Sequence, residues 1–99
     1  MRLYPQTVAV LRALQENAAS WSYGYDLSKA TGIKSGTLYP LLARLYDEGW
    51  LETKWIEARE PGRPRRHLYR LTSSRLKEVR QICEESGVKK LSPRLAFES

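Results

Sequence analysis

Ile33-Lys34-Ser35-Gly36-Thr37-Leu38-Tyr39-Pro40-Leu41-Leu42-Ala43-Arg44-Leu45-Tyr46-Asp47-Glu48-Gly49 is the stretch that decides the fold. Leu38, Leu41, Leu42 and Leu45 recur at i, i+3, i+4 and i+7, the spacing of one buried helix face. Gly36, Pro40, Ala43, Arg44 and Asp47 then point away from that face, with Thr37 and Tyr39 on its flanks, so the outward surface is small at its N-terminal end. Ser35 or Thr37 can cap the helix. With Thr37 as the cap, Pro40 falls in the first turn, where its missing N–H costs no hydrogen bond; with Ser35 as the cap, the first turn is loosened. Gly49 closes the far end.

Working outward, residues 23–31 read as a short helix with Leu27 and Ala30 inward, and Gly32 suits the left-handed position that ends it. A short helix, a glycine turn and a helix with a small exposed N-terminal face follow the order of a helix-turn-helix, whose second helix enters a major groove. Ile33 and Leu38 lock the two helices across the turn, and Gly36 lets the backbone approach a phosphate closely. A plain helical hairpin is the competing reading of this segment taken alone. Further upstream, residues 4–18 carry Val8, Leu11 and Leu14 with Val10 and Ala13 beside them, a helix with a wide apolar face. A domain this small is not expected to cover such a face alone, which makes Val8 and Leu11 candidate subunit contacts. Ser20-Trp21-Ser22 separates this helix from the next.

Downstream the period changes to two. Leu51, Thr53 and Trp55 alternate with Glu52, Lys54 and Ile56, and His67, Tyr69 and Leu71 alternate with Arg66, Leu68 and Arg70, which predicts a β-hairpin. Its loop, residues 57–65, is too long for a tight turn, is stiffened by Pro61 and Pro64, and carries arginines that continue into Arg66. Such a loop is a wing fit for a narrow minor groove or a phosphate row, because guanidinium groups stay charged and prolines limit the entropy lost on docking. A solvated basic loop is the alternative. Trp50 and Trp55 read as hairpin packing rather than ligand platforms. Thr72-Ser73-Ser74 then caps a last helix running to about residue 86, with Leu76, Val79, Ile82 and Cys83 on one stripe. That stripe is expected to meet a second subunit together with the first helix, the alternative being packing within the chain. Residues 88–99 read as a surface tail.

Composition sets the frame for these elements. The 99 residues allow one small domain, and Lys+Arg 17 against Asp+Glu 11 leaves a net charge of +6. That excess points first to nucleic acid, with acidic membranes or acidic proteins as weaker options. Cys83 and His67 are each the single residue of their type, too few for a disulfide framework or a structural zinc site, and no cofactor is expected. No carboxylate pair or nucleophile with a base is placed for catalysis, so an enzyme is not expected. Apolar runs are too short for a membrane span and the N-terminus lacks a signal-peptide pattern, which reads as a cytosolic chain. The expected fold is mainly α with a small β-hairpin: a winged helix-turn-helix over residues 1–87 with N- and C-terminal dimerisation helices, and a tail over 88–99.

Gly24-Tyr25-Asp26-Leu27, Ser35-Gly36-Thr37-Leu38-Tyr39-Pro40-Leu41-Leu42, Gly49-Trp50-Leu51-Glu52, Gly62-Arg63-Pro64-Arg65-Arg66 and Tyr69-Arg70-Leu71-Thr72 resemble the PadR family of bacterial transcriptional regulators. The resemblance spans most of the chain and implies a winged-helix repressor, of the short form with one helix after the wing, that dimerises through its first and last helices on a palindromic operator. It places Ser35, Gly36, Thr37 and Tyr39 at the DNA, Tyr25 near phosphate, and Gly62, Arg63 and Arg65 at the wing tip. The helical wheel agrees for Gly36 and Thr37 and adds Lys34 and Arg44 as phosphate or guanine contacts; Arg66 extends the wing's charge. Arg75 departs from the family pattern, which usually has glycine there. The expected partners are double-stranded DNA and a second copy of the chain; no effector pocket follows from the sequence, and Trp21 finds no role. A winged-helix module that binds RNA or docks a protein is the alternative from another class.

Overall fold

The computed structural model describes residues 4–57, 61–62 and 65–86. In chain order these form α1 (Pro5–Glu16), β1 (Ser22–Tyr23), α2 (Gly24–Thr31), α3 (Ser35–Asp47), β2 (Leu51–Ile56), β3 (Arg66–Leu71), a 3-10 turn (Ser73–Arg75) and α4 (Leu76–Ser86). Pro5 opens α1 at a position where its missing N–H is not needed, and the helix stops at Glu16, before the expected residue 18, as Asn17 and Ala18 tighten into i→i−3 bonds. Gly32, at φ 77°, ends α2 as expected. The cap of α3 differs from both sequence alternatives. Lys34 holds the extended cap conformation, Ser35 is already helical, and no side chain bonds the first turn. Pro40 therefore lies inside α3, and the Gly36 carbonyl lacks the N–H that residue 40 would otherwise donate.

The hairpin has the expected pleat. Leu51 pairs with Leu71, Thr53 with Tyr69 and Trp55 with His67, so these six side chains share the face turned toward the helices. β1 was not expected: Ser22 and Tyr23 pair with Tyr69 and Leu68 to give an antiparallel sheet in the order β1-β3-β2. Thr72 does not cap the last helix with its side chain. Its hydroxyl instead donates to the Gly49 carbonyl at 3.0 Å, tying the end of β3 to the turn after α3.

One core joins every layer: Leu11 and Leu14 of α1, Leu27 of α2, Leu38, Leu42 and Leu45 of α3, Trp50, Leu51 and Leu71 of the sheet, and Val79 and Cys83 of α4. This corrects the reading of the terminal helices. Val8, Leu11, Val79 and Cys83, expected at a subunit seam, are buried within the single chain, Leu11 and Val79 with no exposed area at all. The 3-10 turn brings α4 back over α1, so the chain itself covers the second apolar face of its first helix. Leu76 and Ile82 are only partly buried at the margin of this contact.

Candidate nucleic-acid interface

The candidate interface has two parts, the exposed N-terminal turn of α3 and the hairpin that leads to the wing. Lys34, Ser35, Gly36 and Thr37 are all exposed, and Arg44 continues the same face two turns on. Gly36 has an ordinary backbone, and a Cβ added there would meet nothing within 4 Å. Gly24 is the opposite case, since a Cβ would run into the hydroxyl and ring of Tyr39. Tyr39 is thus half support and half surface, 42% exposed with its ring laid over the start of α2. Tyr25 is 68% exposed, with Lys29 Nζ 5.4 Å from its ring centre. A groove of about 430 Å³ runs from α1 to this turn, lined by Pro5, Gln6, Ala9, Lys34 and Thr37 among others. Pro5 and Gln6 were not singled out by sequence, because nothing in the pattern of α1 tells which helix end its neighbours approach.

On the wing side Gly62 takes φ 84° at the loop, a conformation that suits glycine, whereas Arg63 lies outside the described residues. Arg65 and Arg66 are exposed, and each guanidinium rests on an aromatic ring, Arg65 on Trp55 and Arg66 on Tyr23, both 4.7 Å from the ring centre. Arg65 also lies 4.0 Å from Glu57, a contact exposed on both sides and worth little in water. Trp50 is core, as hairpin packing requires, but Trp55 is 52% exposed. It stacks on His67 at 4.1 Å and 15° between planes, and His67 meets Tyr69 at 4.5 Å. The Tyr69 hydroxyl is hydrogen-bonded to His67 Nδ1 at 3.0 Å, while Nε2 is buried with no partner among the described residues. Burial holds the His67 pKa below its ordinary value. Burial, reinforced by the nearby Tyr39 phenol, pushes the Tyr69 hydroxyl up to about 12.

Two residues left unplaced by sequence now have roles in packing. Trp21 lies between Lys54 and Arg70, at 4.6 and 4.3 Å, on the sheet face turned away from the helices, and Arg70 pairs with Glu52 at 2.7 Å. Arg75 lies over Trp50 at 4.4 Å and donates to the Glu48 carbonyl at 3.3 Å, a cation at the C-terminal end of α3 where the helix dipole favours it. Burial pushes the Cys83 thiol up, with Arg12 partly offsetting the effect, which is the behaviour of a core residue. Among the described residues no cluster of three or more His, Cys, Asp or Glu could hold a metal ion, and no helix is long and apolar enough to cross a membrane.

A helix-turn-helix followed by a two-stranded wing on a three-stranded sheet defines the winged-helix class of regulators. The match is more specific than that: residues 10–81 fit the model of the transcriptional regulator PadR-like family, and the chain belongs to that family. Its members are transcription factors rather than enzymes. Among solved structures, a protein from Streptococcus mutans is 33% identical over 92% of this chain and 89% of its own, with a TM-score of 0.66. A PadR-like transcription factor from Bacteroides fragilis is 26% identical over 84% of each chain, at TM-score 0.64. A PadR family regulator from Clostridium difficile shares the fold at 22% identity, covering 87% of this chain and 92% of its own, with a TM-score of 0.67. No curated protein matches significantly.

Proposed function

We propose that the chain is a repressor acting in the bacterial cytoplasm, a homodimer that binds a palindromic operator and blocks transcription. In this reading residues 1–87 form the DNA-binding and dimerising unit, and 88–99 a tail. Ser35, Gly36 and Thr37 enter the major groove on the first turn of α3, Lys34, Arg44 and Tyr25 reach phosphates or a guanine, and Tyr39 supports that turn from the side. Gly62, Arg63, Arg65 and Arg66 set the wing on the minor groove or its phosphates. Leu76 and Ile82, left half-covered at the edge of the α1–α4 contact, supply the apolar part of the dimer seam.

Gly36 carries the reading. Glycine in a helix costs up to about 1 kcal/mol relative to alanine, and nothing among the described residues asks for it at 36, where φ is ordinary and the Cβ direction is open. A position kept bare without an internal reason suits the close approach of another molecule, and the neighbouring Lys34, Arg44 and wing arginines make an anionic duplex the fitting one. Selection of bound duplexes from a random pool tests it. Recovery of a palindrome with half-sites about one helical turn apart supports a dimeric operator reader; recovery of no common sequence, or preference for RNA, overturns it.

A further inference from the structure

We propose that Trp55, His67, Tyr69 and Tyr39 form a positioning strut between the wing and α3, so that docking of the wing fixes the approach of Thr37 to the bases. The inference rests on the DNA-binding reading above. Strand pleating puts Trp55, His67 and Tyr69 on one face, with Trp55 and His67 directly opposite across the hairpin. The rings follow one another without a break, 4.1 Å from Trp55 to His67 and 4.5 Å from His67 to Tyr69, with a 3.0 Å hydrogen bond closing the second step. At one end stands Arg65, its guanidinium on the Trp55 ring. At the other stands Tyr39, two residues from Thr37 on α3, its ring against Gly24, which directly follows β1, whose Ser22 and Tyr23 pair with Tyr69 and Leu68.

Packing alone accounts poorly for this arrangement. Half of Trp55 faces solvent, so its burial gains little, and His67 Nε2 in the stack is buried without a partner among the described residues, which costs free energy. What the stack does provide is stiffness. Aromatic side chains have few rotatable bonds, so the row from Trp55 to Tyr69 has little freedom to lose, and β1 with Gly24 carries its far end to Tyr39 on the recognition helix. A loosely attached wing would add phosphate contacts equally to any duplex. One held in register with α3 adds them most where Thr37 also fits.

Energetic coupling between the two ends is the decisive measurement. Affinities for the selected operator and for a random duplex are measured for Arg65→Ala, Thr37→Ala and the double variant, in the wild-type background and with Trp55→Ala. With the strut intact, the double variant's loss on the operator is expected to differ from the product of the single losses by about threefold or more. Trp55→Ala restores the product, and Trp55→Phe, which keeps a ring on His67, keeps the coupling. Losses that multiply in the wild-type background, or coupling that survives Trp55→Ala, overturn the strut while leaving DNA reading in place. A wild-type chain without operator preference sinks the DNA reading and the coupling with it. In DNA-free protein Tyr39→Ala should also move the NMR signals of the His67 ring and the Trp55 indole; unmoved signals overturn the strut independently of any duplex.

Discussion

The stripes of α3 and α4 share their helical spacing, yet that of α3 is sealed at Leu38, Leu42 and Leu45 while that of α4 is sealed only at Val79 and Cys83. Leu76 and Ile82 remain half-covered. In α3 the sheet and α2 close over Leu38, Leu42 and Leu45 and leave Leu41 partly buried at the margin, and the opposite face owes nothing to the core and is free to be small, polar and exposed. In α4 a single helix, α1, does most of the covering, and an edge is left over. Equal periodicity thus gives a reading helix in one place and, in the proposed dimer, a seam in the other. What separates them is the number of elements packed on each.

This contrast can be broken most forcefully at Val79. Val79→Glu places a carboxylate where the single chain leaves no exposed area, at a cost of several kcal/mol against a total stability of about 5–15 kcal/mol. The expected outcome is loss of the folded state in thermal melts at every protein concentration, rather than a folded monomer. Ile82→Glu sharpens the contrast from the other side: at the half-covered edge the charge keeps water, so the melt persists while sedimentation shows the dimer lost. Thr37→Ala, on the free face of α3, should leave both melt and mass unchanged. It should reduce discrimination between operator and random duplex by about 1 kcal/mol, read by titration of the two DNAs.

The smallest effect concerns pH and the hairpin that carries the wing. Because burial lowers the His67 pKa in the folded chain, the unfolded chain takes up a proton near 6.5 that the folded ring still refuses. Stability should therefore fall as pH drops below that value, until the folded ring is protonated too. His67→Phe keeps a ring between Trp55 and Tyr69 but cannot titrate, so melting temperatures between about pH 7 and pH 5 should show a flatter slope for this variant than for the wild type.

Much of the fold was legible because its signals are local. The leucines of α3, the alternation on both sides of the wing and Gly32 at the end of α2 each specify a backbone geometry within a few residues, and each geometry is found as read, with Leu41 alone of the four leucines only partly buried. The cap of α3 was misread because Ser35 and Thr37 are cap residues by chemistry, but here Lys34 takes the cap conformation. β1 is two residues long, and no periodicity can be read over two residues. For the candidate site, the exposure of Lys34, Gly36, Thr37 and Arg44 followed from the helical wheel, and Ser35 came only from the family resemblance. The seating of Arg65, Arg66 and Arg75 on rings did not, since it brings together side chains 10 to 43 positions apart.

The amino-acid sequence by itself determined where the four helices and the two hairpin strands lie, which face of α3 is apolar, and that a basic wing follows a helix-turn-helix. These depend on side-chain size, branching and charge repeated at the periods of the backbone, and such patterns are complete within one segment. Only the tertiary structure decided that α4 folds back on α1 of the same chain, that Gly24 is bare for Tyr39 while no described residue crowds Gly36, and that Trp55, His67 and Tyr69 stack in a row on the hairpin. Apolar surface is buried without regard to where its cover comes from, because the hydrophobic effect is non-directional. A stripe can announce that it will be covered; the path of the chain settles by what.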